Sequence, residues 1–170
     1  MDMRGQDERR FDVRLSHLER YRFEAQASED GRAHGASFVS DEPDPVGDAS
    51  GPATPALLGA AVGHCLSAAL LEALRHAHID VLGCETAVTA SVRPNDEGLP
   101  RIDHVDIVIR PQLAAANPRM DRCAAVFEKH CTVTSSVRAG IDVRAQVEWD
   151  IPTARRLRSH PHAHGTDRAS

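Results

Sequence analysis

The sequence predicts an α+β fold in which antiparallel sheets pack around one long central helix. Two observations carry this expectation. In residues 54–77, Leu57, Leu58, Ala61, Val62, Cys65, Leu66, Ala69, Leu70, Ala73, Leu74 and Ala77 recur at steps of three and four, so they share one broad helical face. The apolar patterning then runs as three strands, that helix, two strands, a shorter helix and a last strand, an order that does not alternate strand with helix as a βαβ fold does. A helix so apolar, with Gly59, Ala60, Gly63 and Ala68 admitting close neighbours, must be covered on most sides.

Each element has its own signal. Phe11, Val13 and Leu15 alternate with Asp12, Arg14 and Ser16, and Tyr21, Phe23, Ala25 and Ala27 alternate with Arg22, Glu24 and Gln26, which predicts two half-buried strands joined by a turn at residues 17–20. SEDGRAHG at 28–35 is a second turn, and 36–40 a third strand. Pro, Gly, Asp and Ser gather in DEPDPVGDASGPA, a loop longer than the common connections and therefore a candidate functional segment. Thr54 is placed to cap the central helix and Pro55 suits its first turn, where an N–H would have no helical partner. Strands follow at 84–93 and 102–110, with Val105, Ile107 and Ile109 on one face. Asn117 and Pro118 open a second helix carrying Met120, Cys123, Ala124, Phe127 and His130 inward, Cys131 stands at the break after it, 135–138 makes one helical turn stopped by Gly140, and 141–149 is the final strand.

With 170 residues and 41% apolar composition, the chain suits one domain with a real core, here 11–151. Residues 1–10 form a charged lead-in expected to be disordered, and 152–170 a flexible tail. A net charge of −5 and 4% aromatic residues leave no footprint for nucleic acid. The charged N-terminus lacks the apolar core of a secretory signal, and the longest apolar run is interrupted by His64 and Ser67, so a cytoplasmic protein outside the membrane is expected. No phosphate loop, dinucleotide glycine set or G-x-S-x-G elbow occurs, which removes nucleotide-dependent and serine-hydrolase chemistry from consideration.

The remaining chemistry lies in four cysteines, 65, 84, 123 and 131, without a C-x-x-C pair. A lone cysteine on an apolar helix face is most often packing. The His64–Cys65 and His130–Cys131 pairs suggest zinc, but neighbours on a helix point about 100° apart, so no metal is expected there. HPHAH in the tail is read as a solvated end.

Two runs lift Cys65 and Cys131 above that background. LLGAAVGHCLSAAL and CTVTSSVRAGIDV, with DEPDPVG and GPATPALL ahead of the helix, resemble the two cysteine motifs of the OsmC/Ohr family of osmotically inducible and organic-hydroperoxide-resistance proteins, over roughly residues 11–151. The resemblance implies an OsmC-like intertwined homodimer with the long helices at its centre, in which Cys65 attacks a peroxide and Cys131 resolves it as a disulfide. It implies an external dithiol reductant, no bound cofactor, and Arg32 of the SEDGRAHG turn as the activating arginine. The family's partner glutamate has no counterpart, since its place falls near Pro55 and Ala56; Glu42 and Asp44 are the acidic residues that could replace it. Cys84 and Cys123 are then structural.

Two functions follow: a thiol-dependent (hydro)peroxide reductase in oxidative stress defence, or a non-catalytic dimer of the same fold that binds an apolar small molecule or senses redox state. An activated thiolate is what separates them, because thiolate rather than thiol is the nucleophile. Cys65 lies too far along its helix for the N-terminal dipole to supply that activation.

Overall fold

The computed structural model describes residues 9–151. The expected lead-in, apart from residues 9 and 10, and the expected tail lie outside the described residues. Within them the chain forms two compact units, one up to Gly59 and one from Ala60 onward.

The first unit is a four-stranded sheet. β1 (Phe11–Glu19) and β2 (Arg22–Glu29) form a hairpin, and the far side of β2 holds the short β3 (Arg32–Ala33) and β4 (Phe38–Ser40), all antiparallel. Both hairpin turns are tighter than the sequence suggests. The first consists of Arg20 and Tyr21, with Arg20 at φ 47°. The second is Asp30–Gly31, both at positive φ, the two-residue turn whose twist matches paired strands.

Residues 41–53 are held by one carboxylate. Asp41, 3% exposed, accepts hydrogen bonds from the backbone N–H groups of Glu42, Asp48 and Ser50 at 2.8, 3.1 and 3.2 Å and from the Ser50 hydroxyl at 2.9 Å. Burial alone would raise this carboxyl; the donors from Ser50, Asp48 and Glu42 outweigh burial and hold it below its ordinary value. A depressed native pKa gives stability that is complete above the ordinary carboxylate range and is lost as pH falls through the native value. The loop is therefore expected to open in acid, below about pH 4. Hydrogen exchange at the Asp48 and Ser50 amides should speed up over that range in the wild type, and the Asp41→Asn variant should lack this pH dependence.

α1 (Thr54–His76) begins as predicted but is not capped as predicted. Its first backbone bonds end on the Ala53 carbonyl, while the Thr54 hydroxyl donates to Glu42 Oε1 at 3.5 Å. The second unit's sheet has the order β5 (Val81–Pro94), β6 (Pro100–Leu113), β7 (Asp142–Val147). Val62, Leu66, Leu70 and Leu74, each 0% exposed, form the buried row of α1, and Val105, Ile107, Ile109 and Leu113 form the buried face of β6. Where α1 crosses β5, a Cβ on Gly63 would lie 2.5 Å from Val88 Cγ2, so only glycine permits the approach. One turn later Ser67 and Thr86 hydroxyls meet at 2.6 Å. This helix is nevertheless only partly covered within one chain: 33% of its most apolar window is buried, with a mean hydropathy of 1.7 that also meets the length and composition of a membrane span.

The sheet departs from the all-antiparallel expectation at β7, which pairs parallel to β6 from His104↔Asp142 to Ile109↔Val147. Between them lie α2 (Met120–Val126), a 3-10 turn (Phe127–His130) and α3 (Thr132–Val137), a helical crossover of the kind parallel neighbours require. Asn117 does not cap α2; its Oδ1 accepts from the N–H of Arg119, which is itself the N-cap residue. The helical turn expected at 135–138 starts at Thr132 because Cys131 itself is its N-cap.

Candidate redox site

α1 carries Cys65 beside its buried row, partly exposed, with His64 turned outward. Cys131 is 1% exposed and fixed on both sides: its N–H donates to the Glu128 carbonyl at 3.2 Å, and its own carbonyl accepts from Ser135 N at 3.1 Å and Ser135 Oγ at 2.9 Å. Arg138 ties this segment down by donating to Glu128 at 2.7 Å and to the Val143 carbonyl at 3.1 Å. The two cysteines come together, with Cα atoms 5.7 Å apart and the sulfurs joined in a disulfide. That separation lies within the range a disulfide spans without backbone movement.

The sulfur of Cys131 occupies the place that a serine or aspartate oxygen takes at an ordinary N-cap. Thr134 N donates to it at 3.4 Å and Thr134 Oγ1 lies 2.9 Å away, with Thr134 itself 0% exposed. Neither motif nor periodicity marks Thr134, because Thr132, Ser135 and Ser136 beside it are chemically similar. Arg20 is likewise unmarked by strand alternation; its guanidinium binds Asp48 and the carbonyls of Pro45 and Val46 at 3.2 and 3.1 Å, anchoring the loop ahead of α1.

Arg32 is on β3 in the first unit, paired across the Asp30–Gly31 turn with Glu29 and exposed. Glu42 stands against Thr54 at the start of α1, whereas Asp44 is exposed; the first turn of α1 has no acidic residue. Cys123 is buried and donates its S–H to the Ala73 carbonyl at 3.5 Å, a packing role that ties α2 to α1. Cys84 is exposed on β5, yet desolvation around its sulfur outweighs a hydrogen bond from Thr86 and pushes the thiol above its ordinary value, away from the reactive thiolate. Among the described residues no three His, Cys, Asp or Glu side chains converge as metal ligands.

A helix-borne cysteine, partly open, bonded to a buried cysteine on a second element, defines a thiol–disulfide protein of α+β fold. The chain belongs to the OsmC-like protein family, which matches residues 47–146. No curated protein matches it. Solved structures do. An OsmC-like protein from Mycoplasma pneumoniae is 15% identical with a TM-score of 0.66, covering 87% of this chain and 100% of that one. An organic hydroperoxide resistance protein OsmC from Legionella pneumophila is 14% identical at 0.59, covering 85% and 98%. An organic hydroperoxide resistance protein from Elizabethkingia anophelis is 14% identical at 0.59, covering 87% and 100%. At these identities the likeness establishes the fold.

Proposed function

We propose that this chain is a thiol-dependent peroxidase that reduces organic hydroperoxides through Cys65 and Cys131, with an external dithiol as reductant and no bound cofactor. The observation that carries the proposal is the pairing of a partly exposed cysteine on α1 with a buried one at 5.7 Å. In the reaction, the Cys65 thiolate attacks the distal peroxide oxygen, the O–O bond breaks, and the alkoxide leaves as alcohol after taking a proton. Cys131 then attacks the resulting sulfenic sulfur, water leaves, and the disulfide forms. The apolar residues of α1 around Cys65 favour an alkyl hydroperoxide over hydrogen peroxide. Arg32 is the candidate cation for activating Cys65, and Glu42, already at the start of α1, is the candidate for the family's missing glutamate. The test is consumption of an alkyl hydroperoxide with a dithiol; consumption no faster than without protein would overturn the reading. Ala56, which leaves the first turn of α1 without an acid, favours the second reading, a non-catalytic binder of an apolar small molecule.

The proposed assembly is an obligate, intertwined homodimer in the cytoplasm, without nucleic acid or membrane partners. Two surfaces of the single chain support it: the two-thirds of the α1 apolar window left unburied, and β1, where Phe11, Val13 and Leu15 are 65%, 60% and 61% exposed. A second copy would cover both. Light scattering at micromolar concentration should give twice the 18.5 kDa of the chain, and a monomer mass would refute the assembly.

A further inference from the structure

The two sulfurs of the disulfide are not equivalent. Cys65 is partly exposed, while Cys131 is 1% exposed and its sulfur is met by Thr134 from two directions, Oγ1 at 2.9 Å and N at 3.4 Å. A disulfide sulfur carries no hydrogen, so the Thr134 hydroxyl must be the donor. Thr134 is fully buried, and no water competes for that proton. Thiol–disulfide exchange places the attacking thiolate in line with the S–S bond and expels the far sulfur as a thiolate, faster when that thiolate is stabilised.

We propose that Thr134 is a positioning residue for the reductive half of the cycle: it makes Cys131 the leaving sulfur and so directs the external dithiol to Cys65. This rests on the cysteine-pair reading above. One thiol of the dithiol loses its proton to solvent and attacks Cys65 Sγ, a reductant–Cys65 disulfide forms, and the Cys65–Cys131 bond breaks. The electron pair of that bond stays on Cys131 Sγ, which accepts the Thr134 O–H and N–H and later takes a proton from water. The second thiol of the reductant then attacks its own sulfur in the mixed disulfide. Cys65 is released as thiolate and the reductant leaves as a cyclic disulfide, two electrons oxidised.

The test needs no peroxide, so its failure is distinct from failure of the peroxidase reading. Oxidised wild-type protein is treated briefly with 2-mercaptoethanol, quenched in acid, alkylated with N-ethylmaleimide in denaturant and mapped by mass spectrometry. The mercaptoethanol adduct is expected on Cys65 and the alkyl group on Cys131; the reverse assignment overturns the proposal. Thr134→Val should slow reduction by dithiothreitol roughly tenfold, the worth of one hydrogen bond to a charged sulfur, and Thr134→Ser should restore most of the rate. In a Cys65→Ser background, thiolate ultraviolet absorbance should show Cys131 titrating at higher pH when Thr134→Val is added. Equal rates and equal titrations in the valine and threonine proteins overturn the role of the hydroxyl. If the valine protein does not fold, the wild-type adduct map and the titration of Thr134→Ala against Thr134→Ser decide the matter.

Discussion

Cys65→Ser should abolish turnover of an alkyl hydroperoxide, a fall on the order of a thousandfold or more, because the substitution removes the nucleophile itself. Serine fills nearly the same space, so α1 should still form, and far-ultraviolet dichroism should match the wild type. Cys131→Ser should behave differently. The first oxidation of Cys65 should survive, since it needs no second thiol, while dithiol-driven turnover collapses and mass spectrometry detects sulfinic acid at Cys65. The contrast between the two variants is what identifies a peroxidatic and a resolving cysteine. Should wild type and Cys65→Ser consume hydroperoxide equally slowly, the catalytic reading fails and the ligand-binding reading takes its place.

Leu70→Ala should destabilise the fold by about 3 kcal/mol, since it removes a fully buried side chain from the middle of the α1 row and leaves a cavity. Against a total stability of roughly 5–15 kcal/mol this is a large share, and for a chain of this size it lowers the melting temperature by about 6–12 °C. Glu72→Ala, on the exposed side of the same helix, loses a salt bridge to Arg75 at 2.7 Å between side chains 50% and 67% exposed, and should melt close to the wild type. Calorimetry on the pair checks the assignment of faces. Equal melting temperatures would mean that the row at Leu70 is not the core.

Cys65 and Cys131 could be singled out from the two motif runs, while Thr134, which touches Cys131, could not. Its neighbours Thr132, Ser135 and Ser136 are chemically similar, and only the start of α3 at Thr132 selects which of these side chains faces the sulfur. Arg20 was hidden for a related reason. Its importance depends on the reach of a hairpin turn to residues 45–48, a distance in space that strand alternation does not encode. Asp41 likewise looks like one acid among several in an acidic loop until four donors are found on it.

Periodicity is a local property, written in every few residues, and so the sequence alone determined the β1–β2 hairpin, the long helix, its buried row and the β6 face of Val105, Ile107 and Ile109, but not β3, which lies in the stretch that reads as a turn at 28–35, nor the exposure of β1, which the alternation predicts to be half-buried. Strand direction and register are not local. β7 has the same composition whether it pairs parallel or antiparallel, and only the helical crossover between Leu113 and Asp142 brings it back alongside β6 in the same direction. The β5–β6 ladder shows the same limit: its register slips at Ser91/Val92, leaving Asp103 unpaired and Val92 47% exposed, although Val92 continues the alternation of Val88 and Ala90. Which hydroxyl stands beside the two cysteines is decided by where separate elements end in space, and tertiary packing alone fixes that.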